Sequence, residues 1–390
     1  MLSPLVAQYV DVGQGFNLPV LAWQAPTSRV DSVNVIIHGL TRTLSEGFVF
    51  DSGAATSANA LIAVPLFEHS GRDSSDTPIQ PNSASLRWDK SNGYIDNSNA
   101  ANAPSISSYT ALDNLLINLT TTYPAATSIH LIGFSAGAQF LNRYAAVSDT
   151  LPTLHGVRLI FGSASSWLYL DSTRADPSLD PAQLQRTDFR VPDPAPKAYD
   201  AWKYGLQNAP VPASVARARV LGYATTLISV RDDTKTTNKL DGSDAAAVQG
   251  TQRFVRGETY RAYLEAVWGM RVEVARVDEE CGHNAVRAYQ NINVTRAIFG
   301  GGDGVGAAMD VEEGVEAVDV LGSDAVSGRL AVGFAVAVIV VALVVVAIMR
   351  TIGQKLVLGN EKEGSKSEVD DQDDVKSDKA MLLSTAFRST

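Results

Sequence analysis

SIHLIGFSAGAQFLNRYAAV, residues 128–147, joins two patterns at a serine. Ser128–Phe134 is a short, mostly apolar run, of the kind that forms a strand covered on both faces of a parallel sheet. Ala136–Val147 spaces its apolar residues for a helix. Between them stands Gly133-Phe134-Ser135-Ala136-Gly137, a G-x-S-x-G pentapeptide. In this strand–turn–helix frame the pattern predicts a sharp, strained turn that presents the Ser135 hydroxyl. Gly133 and Gly137 are then required because neighbouring backbone crowds the turn. The helix start beneath the serine favours negative charge developing there. Outside such a frame the same five residues would fit an ordinary Gly/Ser turn.

Further runs rich in β-branched residues lie on either side. Val33–Ile37 leads into His38-Gly39, and Ala60–Leu66, Val157–Phe161, Val220–Val230 and Val272–Val277 are of the same type. Helical patterns at Tyr109–Leu119 and Ala285–Phe299 interleave with them. Strands alternating with helices predict a wound, mostly parallel α/β sheet over residues 1–300. Ser163–Val215 breaks the alternation and is rich in Pro, Asp, Trp and Tyr. Long irregular insertions are commonly functional, so 163–215 is expected to form a lid or pocket wall. The alternative is a surface excursion packed by its own aromatics.

A serine hydroxyl is a weak nucleophile until a base removes its proton. The chain order Ser…Asp…His requires a late histidine. Of the five histidines, His283, in DEECGHN after Val272–Val277, satisfies it, whereas His155 comes too early. The acid belongs at the end of Val220–Val230, which runs into Arg231-Asp232-Asp233. A carboxylate there would orient and stabilise the imidazole. Asp232 comes first and is the preferred acid, with Asp233 the runner-up and Asp278 third. The two N–H groups of an oxyanion hole are assigned to Ala136 and to Leu40, with Thr41 the alternative to Leu40. His38, just before Gly39, is expected to fix the loop rather than to react.

At these residues the chain resembles the α/β-hydrolase superfamily, and within it a little-characterised group of esterase- or lipase-like hydrolases of eukaryotes. The likeness rests on IIHGL, SSYTALDNLL, GFSAGAQFLNRYA, AWKYGL, LISVRDDT, AVQGTQRFVRGETYRAYL and CGHNAV. It implies Ser135, Asp232 and His283 as a catalytic triad. Ser229 departs from the glycine expected before the acid, which blurs the choice between Asp232 and Asp233. The expected chemistry is two-step acyl transfer on a small-molecule or lipid-like ester, needing no metal and no cofactor. Two rivals stand beside it: a catalytically silent binding or adhesion protein on the same fold, and a peptidase or amidase using the same triad.

The chain has 390 residues, 45% hydrophobic and 19% charged, with a net charge of −10. That length buries a full catalytic core, and no basic stripe is present for a nucleic-acid partner. One cysteine, Cys281, excludes an intrachain disulfide and a thiolate zinc site. No two histidines stand at i,i+4 as in zinc proteases. Leu330–Met349 (LAVGFAVAVIVVALVVVAIM) carries no charge, and as a helix would span roughly 30 Å, the thickness of a bilayer core. It predicts a single transmembrane helix, preceded by an acidic flexible linker over 301–329 and followed by a disordered charged tail over 350–390. Arg350 on the cytoplasmic side puts the catalytic domain outside or in a lumen. The sequons at Asn118 and Asn293 fit that orientation. The opening MLSPLVAQYVDVGQGF argues against it, because it has no basic residue before Arg29 and does not look like a signal peptide.

Overall fold

The computed structural model describes residues 5–70, 79–89, 93–236, 239–278 and 280–300. Eight strands form its main sheet: β1 (Val6–Gly13), β2 (Phe16–Gln24), β3 (Ser32–Ile37), β4 (Ala60–Pro65), β5 (Ser128–Phe134), β6 (Val157–Gly162), β7 (Ala224–Val230) and β8 (Val272–Val277). Their spatial order is β1-β2-β4-β3-β5-β6-β7-β8. β2 runs antiparallel to both its neighbours, and the other pairings are parallel. The helices are α1 (Ser52–Ser57), α2 (Ser108–Thr122), α3 (Ala136–Val147), α4 (Ala213–Leu221), α5 (Asp244–Ala247), α6 (Arg253–Trp268), α7 (Ala285–Gln290) and α8 (Ile292–Phe299).

Two cores lie on opposite faces of the sheet, as a doubly covered parallel sheet requires. Val33, Val35 and Ile37 of β3 pack in one core with α2, α3 and α6, while Ile36 belongs to the other, with α1, α7 and α8. On α2, Leu112, Leu115, Leu116 and Leu119 form one buried stripe at helical spacing. Burying each such leucine is worth about 1.5–3 kcal/mol. Asn34 sits wholly buried within β3, donating to the Leu61 carbonyl and accepting from His130 Nδ1. Its amide is satisfied there, so the polar insertion costs little.

The structure also departs from the sequence reading. The β1–β2 hairpin and α6 are absent from the expected elements. Val220–Val230 divides into the end of α4 and β7, separated by Gly222 at the helix C-terminus. Ala285–Phe299 is two helices, broken where Asn291 turns its side chain to cap α8. The segment 163–215, expected to form a lid or pocket wall, does not line the cavity beside Ser135. Its start is core instead. Trp167 stacks on Tyr260 with ring centroids 4.8 Å apart, Tyr169 meets Tyr263 at 4.5 Å, and Arg174 lies over Tyr169 at 4.0 Å. Aromatic contact with α6 is what orders this stretch.

The expected linker over 301–329, the transmembrane helix Leu330–Met349 and the tail over 350–390 lie outside the described residues. Among the described residues no helix is long and apolar enough to cross a membrane.

Candidate active site

The register brings five strand ends together. Ile37 pairs with Gly133, Phe134 with Gly162, Gly162 with Ile228, and Val230 with Val277. The loops after β3, β5, β7 and β8 therefore open on one edge of the sheet, where α/β folds place their sites.

Ser135 follows β5 with φ 57° and ψ −117°, a conformation outside the ordinary regions for an L-residue. Its N–H donates to the Gly162 carbonyl, and its own carbonyl accepts from Gln139 in α3. The need for Gly133 and Gly137 is steric. A Cβ on Gly133 would stand 2.5 Å from the Gly137 carbonyl carbon, and one on Gly137 would stand 2.0 Å from the Ile37 carbonyl oxygen. The turn thus closes only because β5, α3 and β3 touch backbone to backbone.

Ser135 Oγ donates to His283 Nε2 across 2.9 Å, and His283 Nδ1 donates to a carboxylate across 2.8 Å. That carboxylate is Asp233, not Asp232, which corrects the preferred reading. The Asp233 side chain is fully buried, and its loop is tied by Asp233 N–H to the Val230 carbonyl and by Phe254 N–H to the Asp233 carbonyl. Asp232 points elsewhere and accepts the Gly282 N–H at 2.8 Å. It holds the loop that carries His283, which Asn284 continues by capping α7. Asp278 makes neither of these contacts. The other face of the imidazole meets Phe134, with ring centroids 5.3 Å apart.

Ala136 is the first residue of α3, where a backbone N–H has no acceptor within the helix. Leu40 and Thr41 line the same cavity as Ser135. The loop bearing them is bolted down. His38 Nδ1 donates to the Gly39 carbonyl while Nε2 accepts the Phe67 N–H, which fixes a neutral tautomer. Tyr94 donates to the Gly39 carbonyl and Arg42 to the Leu40 carbonyl. His38 is therefore buried and structural in its contacts, and it contributes no base to the cavity.

Two residues escaped the sequence reading. Arg253, buried at the start of α6, feels the charge of Asp233: burial pushes its pKa down and the carboxylate pushes it back up. Glu46 lines the Ser135 cavity, and burial raises its pKa. Neither carried a motif; Arg253 sits in a stretch with no clear apolar stripe, and Glu46 in a single 3-10 turn, Leu44–Phe48, too short to show a period.

No family model matches the chain, and no curated protein matches it. Among solved structures it is similar to poly(aspartic acid) hydrolase-1 from Sphingomonas sp. KT-1, at 17% identity and a TM-score of 0.52, covering 76% of this chain and 100% of that one. It is also similar to a poly(3-hydroxybutyrate) depolymerase from Bordetella parapertussis, at 21% identity and a TM-score of 0.48, over 73% of this chain and 87% of that one. An S-formylglutathione hydrolase from Agrobacterium tumefaciens aligns at 12% identity and a TM-score of 0.40, over 73% and 89%. The first of these likenesses, with the sheet order and the turn at Ser135, places the chain in the α/β-hydrolase fold.

Proposed function

We propose that this chain is a serine hydrolase that cleaves carboxylic esters through an acyl-enzyme. The reading is carried by one observation, the unbroken relay from Ser135 Oγ through both His283 nitrogens to Asp233. In it His283 removes the Ser135 proton as the hydroxyl attacks the ester carbonyl, and returns that proton to the leaving alcohol. The N–H groups of Leu40 and Ala136 hold the oxyanion. Asp233 keeps the Nδ1 proton in place and stabilises the imidazolium as it forms. Water, deprotonated by His283, then attacks the acyl carbon and releases the acid and Ser135.

A fluorophosphonate probe tests the assignment. The wild-type chain should label and hydrolyse a short nitrophenyl ester, and Ser135→Ala should do neither. Labelling retained in Ser135→Ala would move the nucleophile elsewhere, and labelling absent from the wild type would remove the hydrolase reading.

We also infer membrane attachment through Leu330–Met349, from its sequence alone. Carbonate extraction of membranes checks it: the full chain should stay with the lipid, and a chain ending at Gly300 should be released. Release of both overturns the anchor.

A further inference from the structure

We propose that Glu46 makes the Ser135 cavity a site for esters that carry an organic cation. This rests on the hydrolase reading of the same cavity and names the class of substrate it takes.

The cavity has a volume of about 420 Å³, and its walls include Ile36, Leu40, Val64, Phe134 and Val286. Besides His38, His283 and the Tyr289 phenol, two groups of opposite charge line it, Glu46 and Lys239. Their surroundings differ. Lys239 is exposed, and water and salt screen its charge. Glu46 is partly buried by apolar neighbours, and among the described residues its carboxylate has no ion-pair or hydrogen-bond partner. A desolvated carboxylate without a partner gains most from a cation brought beside it, because the attraction grows as the local dielectric falls.

The same cavity presents two aromatic rings, Phe134 and Tyr289, with centroids 6.3 Å apart. Tyr289 is buried, and burial followed by the charge of Glu46 keeps its phenol protonated. Aromatic faces next to a carboxylate are the combination that holds quaternary and primary ammonium groups. An anion in that position meets repulsion instead, so the site selects by charge as well as by size.

The test uses the full chain and two pairs of esters. In one pair the cation lies in the alcohol, as choline butyrate against its neutral carbon isostere. In the other it lies in the acid, as the nitrophenyl ester of a trimethylammonio fatty acid against its carbon isostere. In one pair kcat/KM should favour the cation by roughly tenfold or more. Which pair responds tells whether the cation sits on the acyl or the alcohol side. Glu46→Gln keeps the shape and should bring that ratio toward one, with fluorophosphonate labelling reporting that the variant folds. Should it not fold, protection of wild-type Ser135 from the probe by tetramethylammonium, but not by tert-butanol, is expected instead. A ratio near one in both pairs while the neutral esters turn over overturns the proposal, as does a ratio unmoved in folded Glu46→Gln. Failure of every ester and of the probe brings down the hydrolase reading itself, and this proposal with it.

Discussion

Asp232 and Asp233 are neighbours of identical chemistry, yet their amides should behave very differently. In Asp233→Asn the transition state loses a carboxylate held 2.8 Å from His283 Nδ1 in a fully buried setting. With charge centres about 4 Å apart and an effective dielectric of about 20, that attraction is about 4 kcal/mol. A loss of this size slows the reaction about a thousandfold. The new amide also offers N–H where a carboxylate accepted one, which favours the wrong imidazole tautomer and takes the loss toward roughly ten-thousandfold. In Asp232→Asn the side-chain oxygen can still accept the Gly282 N–H, so only the charge-assisted part of one partly exposed bond is lost. That should cost less than about tenfold. The assay is kcat/KM on a nitrophenyl ester for both variants, with unfolding curves to establish that each is folded. Equal losses, or a larger loss in Asp232→Asn, would refute the assignment of the acid.

Gly137→Ala puts a Cβ 2.0 Å from the Ile37 carbonyl oxygen, backbone that cannot step aside. It should destabilise the fold by about 3 kcal/mol or more, seen in denaturant unfolding, and near-wild-type stability would contradict the backbone packing. His130 is pushed down from 6.5 to about 4 by burial and by the Arg158 charge, so the unfolded chain takes up its proton first. Stability should be whole above about pH 6.5 and drain by up to about 3 kcal/mol as pH falls to about 4. His130→Gln should remove that part of the slope in urea titrations, and an unchanged slope would reject the cause. Burial, reinforced by Asp232, pushes the Cys281 thiol up to about 11. Native protein should therefore resist iodoacetamide at neutral pH and react once unfolded; equal rates would disprove this.

Local pattern made the centre of the molecule legible in its sequence. The strand–turn–helix at Ser135, the late His283 and the central parallel strands each announce themselves within about ten residues. The features that escaped a sequence reading depend on tertiary partners. β1 shows mostly exposed residues, with Val10 and Val12 alone turned inward, so its alternation is too short to read. α6 buries Arg253 and Arg256 along with Tyr260 and Tyr263; Arg256 donates to the carbonyls of Ser165, Asp241 and Gly250, and Arg253 donates to the Ser165 hydroxyl. A helix that buries charge in this way lacks the apolar stripe by which a sequence reading finds one. The choice between Asp232 and Asp233 turned on the path of a single turn after β7, and nothing local to the sequence sets that path.

The three departures from ordinary protein geometry at this site share one cause. Ser135 is strained, Gly133 and Gly137 pack backbone against backbone, and His38 is spent on holding a loop instead of reacting. The strain at Ser135 costs stability, and it would be released if the sheet edge could relax. It cannot, because Ile37, Gly133 and Gly162 are held in register across three parallel strands, with Ser135 N–H hydrogen-bonded to Gly162 itself. Under the proposed function, the Leu40 and Ala136 N–H groups would share this edge with the nucleophile and leave little reorganisation to be done as charge develops. Strain at Ser135 is a consequence of that placement: the edge that fixes Leu40 and Ala136 leaves the serine one backbone conformation.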